Sequence, residues 1–151
     1  MADFIPYGTN EKLDNLANSK KFAVRKAVAE QGYALDILVN DEISDIREEV
    51  AKQGYGLDRL VNDENANVRY EVASQGYGLD KLVNDVDWCV RCEVARQGYG
   101  LDKLMYDEYW DVRYEVELYL IRNNYKDIED WKEKNPDKTY YKKDRTKGEE
   151  R

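Results

Sequence analysis

The sequence predicts an all-α fold, a right-handed solenoid of two-helix repeats. Three observations predict it. A 22-residue period runs without insertion through residues 24–111. Apolar residues inside each period are spaced for helix, first i,i+4 and then i,i+3,i+4, and nowhere alternate as in a strand. Glycines recur where a helix end calls for φ > 0.

The four units read VRKAVAEQGYALDILVNDEISD, IREEVAKQGYGLDRLVNDENAN, VRYEVASQGYGLDKLVNDVDWC and VRCEVARQGYGLDKLMYDEYWD; the last two agree at 15 of 22 positions. An Asn-Asp pair (Asn62-Asp63, Asn84-Asp85) is the expected N-cap. About eleven helical residues follow, with Val68/Val72 and Val90/Val94 as the apolar pair. Gly32, Gly54, Gly76 and Gly98 then stand at the C′ position. A Tyr-Gly turn leads into Leu-Asp-x-Leu-Val, a short second helix whose Asp favours the helix dipole. Neither helix can bury its apolar stripe alone, so stacked neighbours must supply the core.

Both ends decay in phase, as capping units of an array do. Leu13, Asp14, Leu16 and Asn18 lie one period before Leu35, Asp36, Leu38 and Asn40, so residues 1–23 form a half-repeat cap. Residues 24–111 are the four repeats. Residues 112–134 start a fifth unit, lose the Gln-Gly-Tyr-Gly block and become capping helices. Residues 135–151 carry six Lys/Arg against four Asp/Glu and are expected as a charged, mobile tail from about Lys138.

Asp-x-x-x-Val-Arg-x-x-Val-Ala, a tight turn and Leu-x-x-Leu together resemble the HEAT-like family, closest to its short leucine-rich-variant repeats of bacterial and phage proteins. The resemblance covers residues 24–111 fully and about 7–134 loosely. It implies an α-solenoid and a binding scaffold; fold alone does not set function. The family often has Pro in the turn where this chain has Gly-Tyr-Gly.

Composition narrows the function classes. Histidine is absent, which removes His-based acid–base catalysis and His-ligated zinc. Leu, Ile, Val and Phe number 33 of 151 residues, close to the lower limit for a folded chain. No apolar run approaches the ~18 residues of a membrane span, and the first residues lack the pattern of a secretory signal. With two cysteines only, the expected address is a reducing cytoplasm. Net charge is −8, and −10 without the last 17 residues. Such a body repels nucleic-acid phosphates and suits a basic or nucleic-acid-binding protein partner. A monomer is expected.

Variation between units marks positions released from stacking. At about 100° per residue, the variable positions of the first helix fall opposite the Val core. They form the rows Ser44-Glu48-Lys52, Ala66-Tyr70-Ser74, Trp88-Cys92-Arg96 and Trp110-Tyr114-Leu118. Trp88, Trp110, Tyr114 and Leu118, with Tyr70 and Arg96 at the edge, are therefore the candidate partner-binding residues, because Trp, Tyr and Arg dominate interface hot spots. The competing reading is a C-terminal cap that folds over these aromatics through Tyr119, Ile121, Tyr125, Ile128 and Trp131.

Other recurring residues read as structural. Arg25, Arg47, Arg69, Arg91 and Arg113 are expected to pair with Glu of a neighbouring unit or with the capping Asp. The turn tyrosines Tyr33, Tyr55, Tyr77 and Tyr99 are expected to pack between units. Cys89-x-x-Cys92 lies inside a helix, without a third cysteine or a histidine, and reads as packing rather than zinc or redox chemistry. No carboxylate pair breaks the repeat as a catalytic site would. The expectation is a non-enzymatic protein-interaction scaffold with no cofactor and no metal. The alternative is an acidic inhibitor that occupies the nucleic-acid-binding cleft of a partner, in the manner of phage counter-defence proteins.

Overall fold

A computed structural model describes residues 10–142. Those residues hold eleven α-helices and no strand. They divide into two compact units, Met1–Tyr77 and Gly78–Arg151.

In the first unit α1 (Asn10–Ala17) precedes α2 (Phe22–Glu30), α3 (Leu35–Leu38), α4 (Ser44–Lys52), α5 (Leu57–Leu60) and α6 (Ala66–Ser74). Long helices pack on long helices: α1 on α2, α2 on α4 and α4 on α6. Short α3 and α5 pack on the long helices beside them. Val28, Leu38, Ile46, Val50, Leu60, Val68 and Val72 are the buried row that this stacking creates. The half-unit α1 leaves an open apolar groove of about 450 Å³ among Leu13, Leu16, Val24, Val28 and Tyr33.

The second unit holds α7 (Leu79–Leu82), α8 (Trp88–Arg96), α9 (Leu101–Leu104), α10 (Trp110–Arg122) and α11 (Ile128–Lys134). Here α10 packs on α8 and α9, and α11 packs on α9. The core again uses repeat positions: Leu82, Val90, Val94, Leu104, Val112 and Val116. Trp131 of α11 is fully buried.

The predicted glycines behave as expected: Gly32, Gly54, Gly76 and Gly98 have φ of +74° or +75°. Each turn also has a second left-handed residue, at Gly56, Gly78 and Gly100, with Ala34 in the first copy. In α10 the glycine is missing, so the helix runs on to Arg122; Asn124, at φ +58°, takes the left-handed role.

Helix starts differ from the expectation. The long repeat helices α2, α4, α6 and α8 have nine residues, and the N-caps of α6 and α8 are Asn65 and Asp87, whose side chains accept from the N–H groups of Asn67 and Cys89. The Asp of the Asn-Asp pair lies two residues earlier. Asp63 accepts the Asn65 N–H and Asp85 the Asp87 N–H, which fixes the entry turn. Arginine holds the same carboxylates: Arg25 pairs with Asp41, Arg47 with Asp63 and Arg91 with Asp107, each Nε–Oδ2 distance being 2.7 Å. Of the two arginine pairings considered, the one with the loop Asp is the one formed. A carboxylate carrying an arginine fork belongs over the loop, not on the N-cap.

Candidate functional site

The candidate stripe lies on α8 and α10 in the second unit. Trp110 is 63% exposed and Tyr114 50% exposed, their rings edge to face at 6.1 Å between centroids. Leu118 follows one turn later, half-buried. Ile121 is 71% exposed. Seven residues after Tyr114, Ile121 falls within about 20° of it around the helix. Trp110, Tyr114 and Ile121 thus line one face of α10, with Leu118 at its side.

Ile121 was expected in a cap covering the aromatics; it instead lengthens the stripe. Of the other cap residues Trp131 is buried, and Tyr119, Tyr125 and Ile128 are half-buried. Tyr119 and Tyr125 stack, with centroids 6.3 Å apart, and Tyr119 lies against Gly98. Trp131 sinks into the fold as α11 packs on α9. The reason is the length of α10: it carries the chain past the stripe before α11 begins.

Trp88 is on α8, partly exposed, and stacks on Tyr109 at 6.0 Å between centroids and 15° between planes. The Arg91 guanidinium lies over the other partner of that stack, 5.7 Å from the Tyr109 centroid, while it holds Asp107. Tyr109 precedes Trp110 directly, so it links Trp88 to the α10 stripe. Sequence reading missed Tyr109 because its position carries Ile, Asn or Asp in the other units and sits outside the helix, at the N-cap.

One position of the variable rows and one candidate residue differ from expectation. The middle of the α8 row is not exposed: Cys92 is buried, because α10 packs on α8 at that level. Arg96 bridges these helices, donating to Glu93 at 3.3 Å and to Glu115 at 2.8 Å, so it is a strut between α8 and α10. Tyr70 belongs to the first unit, on α6, half-buried. The turn tyrosines Tyr33, Tyr55 and Tyr77 each keep about two-fifths of their surface exposed, and Tyr99 is half-buried.

The cysteines have the chemistry of inert thiols. Burial pushes the Cys92 thiol up to about 11, and burial with the neighbouring Asp87 carboxylate pushes Cys89 up as well. A thiol held protonated at neutral pH is a poor nucleophile and a poor metal ligand. Among the described residues no three His, Cys, Asp or Glu side chains gather where a metal ion could sit, and no helix is long and apolar enough to cross a membrane.

The C-terminal segment does more than the expected tail. Asn135 and Thr139 are buried. The Gly100 N–H donates to the Lys138 carbonyl at 2.8 Å. Asp102 accepts the backbone N–H groups of Tyr140 and Tyr141, both at 2.9 Å. Residues 138–142 thus belong to the fold; the rest of the expected tail lies outside the described residues. No protein-family model matches the sequence, and no curated protein matches it.

Proposed function

We propose that the chain is a non-enzymatic protein-binding scaffold, a HEAT-like right-handed α-solenoid that meets a basic partner through the α10 stripe. The observation that carries this reading is the exposure of Trp110 and Tyr114 on a helix whose opposite face is fully packed. Val112 and Val116 already fill the core side of α10. Large aromatics on the open side add little to the fold, and a contiguous apolar patch on a charged surface calls for an occupant. Asp111 and Glu117 flank the stripe on the same helix, so a partner with a basic rim would approach faster and in register.

The test is Trp110→Ala, read two ways on the same sample. Affinity for the captured partner is expected to fall about 30-fold, roughly 2 kcal/mol, while the melting temperature stays near wild type. A large fall in melting temperature with unchanged affinity of the folded fraction would show the stripe to be structural. Affinity that collapses with ionic strength and ignores Trp110 would favour the charge-driven inhibitor.

A further inference from the structure

The Tyr-Gly-Leu-Asp turn occurs in the second, third and fourth repeats with the same residues but different surroundings. In the fourth copy the chain's own segment 138–141 covers it. Gly100 and Leu101 are buried, and Asp102 is only 5% exposed. In the second copy Gly56 and Leu57 are half-buried and Asp58 is exposed; in the third, Gly78 and Leu79 are half-buried and Asp80 is exposed. The N–H groups of Gly56 and Gly78 have no hydrogen-bond partner among the described residues. The same backbone, left-handed at the glycine in all three copies, is therefore occupied once and open twice.

The occupied copy shows what the turn recognises. One glycine N–H donates to a carbonyl at position i of a segment that turns at 136–138 and bends at Tyr140 and Tyr141. One carboxylate accepts the two consecutive N–H groups at i+2 and i+3. The basic residue after the Asp, Lys103, lies over the Tyr140 ring, 5.3 Å from its centroid. Tyr141 lines a groove of about 380 Å³ with Arg91, Lys103 and Asp107. All these groups recur. Arg59 and Lys81 stand where Lys103 does. Beside Arg59, Arg47 and Asp63 line a groove of about 390 Å³ built from the same repeat positions as the Tyr141 groove, with Asn62 where that groove has Tyr106 and with no counterpart of Tyr141. The first copy lacks the set, with Ala34 for the glycine and Ile37 for the basic residue.

We propose that the open copies, Gly56-Asp58-Arg59 and Gly78-Asp80-Lys81, are peptide-docking sites. Their ligand is a partner segment that bends as residues 138–141 do and carries two adjacent aromatic residues, of the type Lys-Thr-Tyr-Tyr that fills the fourth copy. The occupied fourth copy, not the turn alone, points to a ligand. Backbone hydrogen bonds to Gly and Asp set the register, and the cation over the first aromatic adds selectivity. These sites share no residue with the α10 stripe, so either proposal can stand without the other.

The probe is a synthetic peptide of residues 136–142, acetylated and amidated, titrated into the isotope-labelled full chain. Saturable shifts are expected at the Gly56 and Gly78 amides. The double variant Asp58→Ala, Asp80→Ala should fold normally, because both side chains are exposed, and should weaken binding at least tenfold. A peptide with proline at its second tyrosine lacks one of the two N–H groups and should also lose at least tenfold. No shift at Gly56 or Gly78 at millimolar peptide would overturn the proposal. So would shifts confined to Gly100 and Asp102, which would mean exchange with the chain's own segment, or equal binding by the proline peptide.

Discussion

Arg47 Nε donates to Asp63 Oδ2 at 2.7 Å, and its Nη2 donates to the other oxygen of the same carboxylate at 3.0 Å. The side chains are only 10% and 7% exposed. Arg47 Nη1 also donates to the Asp41 carbonyl at 2.7 Å, so one guanidinium ties two successive loops. A buried fork of this kind costs desolvation to form and is expensive to break from one side. Asp63→Ala should destabilise by about 3 kcal/mol in urea denaturation, since it strands a buried cation. Arg47→Leu with Asp63→Leu should cost clearly less than the two single changes added. Additivity of the singles would show that the pair is not coupled.

The same carboxylates set an acid limit. Burial alone would push the Asp63 carboxyl up, but Arg47 and the Asn65 N–H outweigh it and hold it below its ordinary value; Asp107 is held down likewise against its burial by Arg91 and the Tyr109 N–H. A group whose pKa is lower folded than unfolded stabilises above its unfolded pKa, about 3.9, and loses that contribution as pH falls through the lower folded value. Stability should therefore drop below about pH 4, and Asp63→Asn should flatten that limb. Unchanged acid sensitivity in Asp63→Asn would assign the limb to other groups.

Gly98 and Gly54 share a backbone conformation, φ +74°, but not a setting. A Cβ on Gly54 would meet nothing closer than Gln75 Oε1 at 3.7 Å, whereas one on Gly98 would overlap the Tyr119 ring. Gly54→Ala should thus cost only the left-handed strain, about 1 kcal/mol. Gly98→Ala should cost about 3 kcal/mol, because overpacking is added. Equal losses in thermal denaturation would mean that Tyr119 swings aside freely.

Much of this is written in the 22-residue period. Val68/Val72 and Val90/Val94 mark the core side of each long helix, and the Gln-Gly step marks its end. What the period hides are departures set by distant residues. Asp102 reads the same as Asp58 and Asp80, yet it is buried by a segment 38 residues away. Cys92 falls on the variable face by helical phase, yet neighbouring α10 covers it. A one-helix wheel has no neighbour in it, so a position between two long helices reads as open. The Asn-Asp pair looks like a cap because Asp is a good N-cap residue; its pairing with arginine shifts the cap two residues on.

Trp110 and Trp131 are opposite cases, one mostly exposed and one fully buried. Trp131→Ala should cost about 3–5 kcal/mol of folding free energy. Trp110→Ala should cost under about 1 kcal/mol, as surface changes do. Acrylamide quenching gives an independent check: a chain lacking Trp88 and Trp131 should be quenched readily, one lacking Trp88 and Trp110 only weakly. Similar quenching of the two would mean that Trp110 is covered in solution.

Asp102 accepts two consecutive backbone N–H groups from outside its own repeat, and nothing else in the fourth turn holds Tyr140 and Tyr141 by their backbone. Those amides should exchange slowly with solvent, along with the Gly100 N–H that meets Lys138. Asp102→Ala removes both acceptors at once. Protection at Tyr140, Tyr141 and Gly100 should then be lost, while amides at the centre of α8 and α10 keep theirs, since their hydrogen bonds lie within the helices. Asp102→Asn keeps an acceptor oxygen and should keep part of the protection. If Tyr140 and Tyr141 exchange as fast in the wild-type chain as in Asp102→Ala, the carboxylate does not hold the segment, and the ring of Tyr140 under Lys103 is its main anchor.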